Sequence, residues 1–281
     1  MQAQIHAPRT GYAYNLLDNS DFRNPVNQRG ATTVSAGGYF IDRWAVKQSG
    51  MSAALGQSGM TISNSRSDNT AGYIEQVLPD NVVNSTTHAG KTYTIAAKAN
   101  GNIDCATATI PNSATINVDS VNQIMLLYSQ SAAKWVARCI VNQSGHQMTI
   151  EWMALYEGAY TADTLPPYQP KGYAIELAEC KRYYELLDSG TSQFVRAYKD
   201  DVIAFCVDYY EKRAVPVISM TGALGNALNV AGVGAATPTS IESAAPIGRK
   251  SARVNAMGSF DTSETYAISY GIVRLSISAD L

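Results

Sequence analysis

Between Asn15 and about Tyr168, short apolar or alternating runs are separated by turn residues, the pattern of half-buried strands. Tyr39–Val46, Gly72–Leu78 and Lys91–Ala97 read as strands, and Ile124–Tyr128, Lys134–Val141 and Met148–Tyr156 extend the series. The spacing predicts roughly seven or eight strands and a β-sandwich, and a jelly-roll fits that number.

The segment Thr161–Pro170 carries Pro166, Pro167 and Pro170. Proline removes a backbone donor and fixes φ, so neither strand nor helix is expected to run through it, and it marks a boundary. Directly beyond, Tyr173–Leu187 contains no Gly or Pro, and Ala174, Leu177, Cys180 or Lys181, Tyr184 and Leu187 recur at helical spacing. Glu176 and Glu179 early and Lys181 and Arg182 late complement the helix dipole, and Asp188–Gly190 supplies a stop. The helix is expected to pack between two β regions. Alternation returns in Phe194–Tyr198, Val202–Val207, Tyr266–Tyr270 and Ile272–Ile277. Between these strands lies Thr221–Gly248, rich in Gly and Ala and nearly free of charge, which reads as a loop or as a surface packed on copies of itself.

The resulting scheme is mainly β. It has an attachment arm at 1–14, a jelly-roll β-sandwich at 15–168, a linker and short α-helix at 169–190, and a smaller, distal C-terminal β domain at 191–281.

Composition narrows the function classes. Charged residues are 16% of the 281, with a formal net charge of −2, so there is no cationic field to hold a phosphate backbone and nucleic acid is not expected as a partner. No apolar run reaches the roughly 18–20 residues of a membrane helix, and the start Met1-Gln-Ala-Gln-Ile-His lacks the features of a signal peptide, so neither membrane insertion nor Sec export is expected. Cys105, Cys139, Cys180 and Cys206 form no C-x-x-C pair and sit in apolar runs, which predicts buried free thiols rather than a disulfide framework.

Candidate chemistry is sparse. Glycan hydrolysis needs two positioned carboxylates, and Asp200 with Asp201, or Asp208 with Glu211, fall at strand ends where solvated turn charges are ordinary. His6, His88 and His146 are isolated. Asp18, Asn19 and Asp21 offer oxygen ligands for a structural Ca²⁺, or else cap a turn. Trp44, Trp135 and Trp152 lie in predicted strands beside aliphatic residues and read as core rather than sugar platforms. Among the 17 tyrosines, Tyr209 and Tyr210 suit either a wet interface or hairpin packing. Gly222–Gly225 and Gly232–Gly234 lack the pattern of a phosphate loop.

Asn15–Gly30 followed by Gly38–Trp44 resembles the opening of a jelly-roll module of bacteriophage and prophage tail proteins. Trp152–Gly158, Pro167–Pro170 and Glu176–Glu185 resemble the last strand and linking helix of those proteins. Ile203–Pro216 is similar to the strand and basic-Pro turn that open a distal domain, although Val217 stands where Thr is expected. The resemblance covers most of residues 15–217.

It implies a tail-fibre or receptor-binding protein of the virion, commonly a homotrimer, with a carbohydrate-binding-like jelly-roll. Other virion proteins and a host-surface glycan would be its partners. A head fibre or capsid decoration protein is the alternative. Neither reading calls for catalysis, cofactor or metal, and neither assigns ligand-contacting residues.

Overall fold

Buried and less buried positions alternate along Met51–Gly56, Gly59–Asn64, Ala114–Asn117 and Asn122–Ser129, whereas Gly72–Val77, Thr92–Ala99 and Lys134–Val141 are buried along nearly their whole length, the pattern of central strands in two packed layers. The computed structural model describes residues 13–35, 37–187, 193–221, 228–231, 240–246, 248–260, 262, 265–270 and 274–279. The chain divides into two units, Met1–Glu176 and Leu177–Leu281.

Among the described residues the first unit contains twelve strands: β1 (Thr33–Val34), β2 (Gly38–Ile41), β3 (Trp44–Val46), β4 (Met51–Gly56), β5 (Gly59–Asn64), β6 (Gly72–Val77), β7 (Thr92–Ala99), β8 (Asn102–Thr109), β9 (Ala114–Asn117), β10 (Asn122–Ser129), β11 (Lys134–Val141) and β12 (Gln147–Glu157). They form two antiparallel six-stranded sheets. Sheet A has the order β1-β4-β5-β12-β7-β8 and sheet B the order β2-β3-β6-β11-β10-β9. The chain crosses between sheets from β1 to β2, β3 to β4, β5 to β6, β6 to β7, β8 to β9 and β11 to β12, winding a jelly-roll β-sandwich.

Local chemistry explains the tight corners. Asn100 and Gly101 both adopt positive φ between β7 and β8, the two-residue turn that matches the twist of a hairpin. Gly59 opens β5 at φ +115°, and a Cβ there would lie 2.2 Å from the Ile150 carbonyl oxygen, so only glycine fits.

The core between the sheets holds Phe22, Phe40, Trp44, Met60, Ile95, Leu126, Trp135, Ile150 and Leu155 among others, nearly all inaccessible. Truncating one such aromatic typically costs about 3–5 kcal/mol. Trp44 and Phe22 meet edge to face at 5.1 Å, and Trp44 Nε1 donates to the Asn19 carbonyl at 2.9 Å, which satisfies its buried polar end.

The helix α1 (Tyr173–Lys181) begins where Ile175 and Glu176 amides donate to the Gly172 carbonyl, and ends in tightened turns from Arg182 to Glu179 and Tyr183 to Cys180. It is shorter than the helical spacing predicted. Tyr184–Leu187 is instead strand β13, paired with β21 (Arg274–Ser278), because a sheet partner satisfies that backbone and overrides a weak helical period.

Leu177–Leu281 also contains β14 (Gln193–Lys199), β15 (Val202–Asp208), β16 (Val217–Thr221), β17 (Leu228–Ala231), β18 (Ser240–Pro246), β19 (Ser251–Met257) and β20 (Thr265–Tyr270). Sheets of order β13-β21-β16 and β17-β20-β14-β15-β19-β18 result. The bland segment Thr221–Gly248 therefore carries two strands, β17 and β18; its glycine clusters Gly222–Gly225 and Gly232–Gly234 lie outside the described residues, as does the arm before Ala13. A buried ion pair anchors this unit: Lys212 Nζ donates to Glu185 at 2.9 Å and to the Lys181 carbonyl at 2.6 Å, and the Tyr210 amide donates to Glu185 at 2.7 Å. Burial raises the Glu185 carboxyl, but Lys212, the Tyr210 amide and Lys181 together outweigh it and hold the group below its ordinary value.

Candidate ligand-binding face

The side chains that do not enter the sandwich core leave it two outer faces, and these differ. On sheet A, Met148 and Ile150 of β12 point into the core, and an irregularity between Ile150 and Trp152 shifts the alternation. Met153 and Leu155 then point inward, while Trp152, Ala154 and Tyr156 turn outward. Ala13, Tyr160, Leu165 and Tyr168 cover them. Trp152 and Tyr168 stack with centroids 4.4 Å apart and planes 3° from parallel. Thr94 Oγ1 donates to the Gly158 carbonyl at 2.8 Å and accepts from the Tyr160 amide at 3.0 Å. Burial pushes the Tyr156 hydroxyl up to about 12 and the Tyr168 hydroxyl above its ordinary value. Farther along the face, Thr33, Ser35, Ser52, Thr61 and Ser63 put hydroxyls around an open cavity of about 280 Å³.

On sheet B the register sets the outward side chains in rows, and those at its centre, Glu75, Val77 and Val136, are buried. One row runs Tyr39, Ala45, Glu75, Arg138, Met125, Thr115 across all six strands. The next runs Lys47, Tyr73, Ile140, Gln123, Asn117. Val77, Val136 and Leu127 form a third. Arg138 links the first two rows: its Nε and Nη2 donate to Glu75 Oε2 at 3.0 and 2.6 Å, Nη2 reaches Ser129 Oγ at 3.4 Å, and its guanidinium lies 3.9 Å from the Tyr73 ring centroid. Lys47 Nζ lies 3.6 Å from the other Glu75 oxygen. Gln123 Nε2 donates to Asn117 Oδ1 at 2.9 Å. The Glu75 side chain is 3% exposed and that of Lys47 33%, so the carboxylate is an inner anchor and the ammonium an outer one.

The residues singled out in the sequence scatter. Asp18 pairs with Arg43 at 3.0 Å and Lys171 at 3.5 Å; burial raises its carboxyl, and the two cations outweigh it and hold it low. Asn19 spends its amide on Val26 and the Asp42 carbonyl, and Asp21 binds Arg23 at 3.1 Å. These three side chains thus serve separate partners and brace the entry to the fold. Trp44 and Trp135 are core, whereas Trp152 is buried under the strap rather than between the sheets. His88 Nδ1 accepts the Asn84 amide within a turn, His146 is exposed, and His6 lies outside the described residues.

In Leu177–Leu281, Asp200 and Asp201 are exposed on the β14–β15 turn, where their backbone carbonyls accept from Phe260 and Gly258. Asp208 is exposed, and Glu211 is ion-paired with Arg249 at 2.9 Å and Lys250 at 3.3 Å. Tyr209 is buried, its hydroxyl donating to the Gly248 and Ser251 carbonyls, while Tyr210 is exposed. None of the four cysteines forms a disulfide. Cys139 and Cys180 are buried and Cys105 half-buried, but Cys206 is exposed, against expectation, because alternation sends Phe205 and Val207 inward and Cys206 out.

Sequence reading did not single out Tyr73, Glu75, Arg138 or Lys47. Alternation in Lys134–Val141 places Arg138 opposite Trp135 and Cys139, but nothing in the sequence pairs β11 with β6. No protein-family model, no curated protein and no solved structure matches this chain.

Proposed function

We propose that this chain is a non-catalytic adhesive protein of a bacteriophage particle, a tail-fibre or receptor-binding protein that holds the virion to a glycan on the host surface. The resemblance of residues 15–217 supplies the biological setting. The observation that carries the reading is the outer face of sheet B, where flat rings, amides and charged groups are held in register on rigid strands. Such a face recognises a ligand by shape and hydrogen bonding and asks for no chemistry. The acidic residues weighed for hydrolysis fit this reading, since Glu211 is already neutralised by two cations and Asp200 and Asp201 sit on a solvated turn.

Adhesion by weak sites gains from copies held together, so the protein acts as a homotrimer, with avidity raised about 10²–10⁴-fold over one site. A second reading, a head-fibre or decoration protein that docks on other virion subunits, is favoured by the exposed apolar residues Tyr210, Val215 and Val217, of which Val217 is 72% accessible.

The deciding experiment adds purified full-length protein to intact cells of a bacterial panel before and after periodate oxidation of surface sugars, with light scattering on the same sample. Saturable binding lost on oxidation, by a trimer, is the expected result. Binding to particles of the parent phage but to no cell would overturn adhesion in favour of the structural reading.

A further inference from the structure

We infer that the cluster of Tyr73, Arg138, Lys47 and Gln123 on sheet B is a binding site for a carboxylate-bearing sugar unit, a hexuronate. This names the ligand class of the adhesive face and rests on the glycan reading above.

Charge comes first. Two cations, Arg138 and Lys47, face one carboxylate, Glu75, so the cluster keeps an excess positive charge among neutral neighbours. A neutral sugar leaves that charge unanswered; a carboxylate answers it.

The guanidinium is also oriented for the task. Its bonds to Glu75 and Ser129 use Nε and Nη2 only. Nη1 takes part in none of them, and its two N–H donors remain for an incoming oxygen. Because Glu75 and the Tyr73 ring fix the plane of the group, a ligand loses little entropy in finding it. Lys47, the more exposed cation, supplies a second contact to the same carboxylate.

The rest of the cluster suits a pyranose ring. Gln123 gives its amide N–H to Asn117, which leaves its carbonyl oxygen to accept a sugar hydroxyl. Met125, beside Arg138 on β10, provides apolar surface under a ring face.

The test titrates full-length protein with galacturonate oligosaccharides and with neutral galactose oligosaccharides of equal length, by calorimetry at low salt. The uronate series is expected to bind, the neutral series at least about tenfold more weakly, and added salt to weaken the first alone. Lys47→Gln, at an exposed position, is expected to weaken uronate binding about fivefold or more with the melting temperature little changed, and Arg138→Lys, which keeps the charge but loses the planar fork, to weaken it about fivefold or more with a lowered melting temperature. Equal affinity for both series, or uronate binding indifferent to both substitutions, overturns the site. Failure here with periodate-sensitive cell binding intact sinks the hexuronate site and leaves adhesion standing. Uronate binding that depends on Lys47 and Arg138, without cell binding, keeps the site and sinks the adhesive reading.

Discussion

The outer faces of sheets A and B begin from the same rule, that every second residue of a strand points away from the core, and they arrive at opposite outcomes. On sheet A the outward residues are large aromatics beside alanines, and the chain returns over them with Tyr160, Leu165 and Tyr168. On sheet B charged and amide side chains satisfy one another across strands, beside an outward row of Val77, Val136 and Leu127, the first two of them buried. The first face is a second small core. The second holds a polar cluster, built around the buried Glu75, that is kept rigid from beneath. What separates them is not the number of outward positions but whether those positions lose more by exposure or by burial: Trp152 and Tyr156 are stabilised by cover, while Arg138 and Lys47 would have to be desolvated.

The comparison breaks most completely at Gly59. Its positive φ and the 2.2 Å approach of a Cβ to the Ile150 carbonyl make Gly59→Ala incompatible with the strand irregularity that turns Trp152 outward. A loss of about 4 kcal/mol or more is expected in denaturant unfolding, and a fully native unfolding curve would refute the argument.

Trp152→Ala tests the strap. It removes the ring stacked on Tyr168 and is expected to cost about 3–4 kcal/mol, with new protease cleavage within 158–170. The face of sheet B, read by uronate titration, should be unaffected.

On sheet B, Glu75→Gln leaves Arg138 and Lys47 facing each other without their shared carboxylate. The expected cost is about 1–3 kcal/mol, and a double-mutant cycle with Arg138→Gln should show strong coupling. Strict additivity would mean that the two groups do not act as a unit.

The smallest effect belongs to neither face and calibrates both. The Asp18 carboxyl lies below its ordinary value of 3.8 in the folded chain, so it contributes stability that is fully present above that value and is lost as pH falls through the lower folded one. Asp18→Asn should therefore flatten the acid limb of stability against pH below about 4 while leaving the slope near neutrality unchanged. An unaltered acid limb would show that Arg43 and Lys171 do not hold the charge.

Much of the fold was legible in the chain. Strands with strong contrast, such as Lys134–Val141 and Met148–Tyr156, were visible because bulky apolar residues mark the buried side. Strands β4, β5 and β8 were not, since Met51–Gly56, Gly59–Asn64 and Asn102–Thr109 are built largely from Ala, Ser, Thr, Gly and Asn, whose hydropathy barely separates inside from outside. The sandwich accordingly has twelve strands where roughly seven or eight were expected. Of the ligand-binding face, the parts were legible and the assembly was not: Tyr73 and Arg138 are 65 positions apart and meet only because β6 and β11 pair in one register.

The sequence by itself determined that this is a mainly β chain, that the prolines of Thr161–Pro170 interrupt it, and which side of its high-contrast strands is apolar, because these follow from local sterics and the period of two. Tertiary structure alone decided that Trp152 faces a strap rather than the sandwich core, that Tyr184–Leu187 is a strand, and that Arg138, Glu75, Lys47 and Tyr73 form one cluster. Each of these depends on strand pairing and on the path of a distant segment, and a one-residue change of register would move every side chain involved to the opposite face.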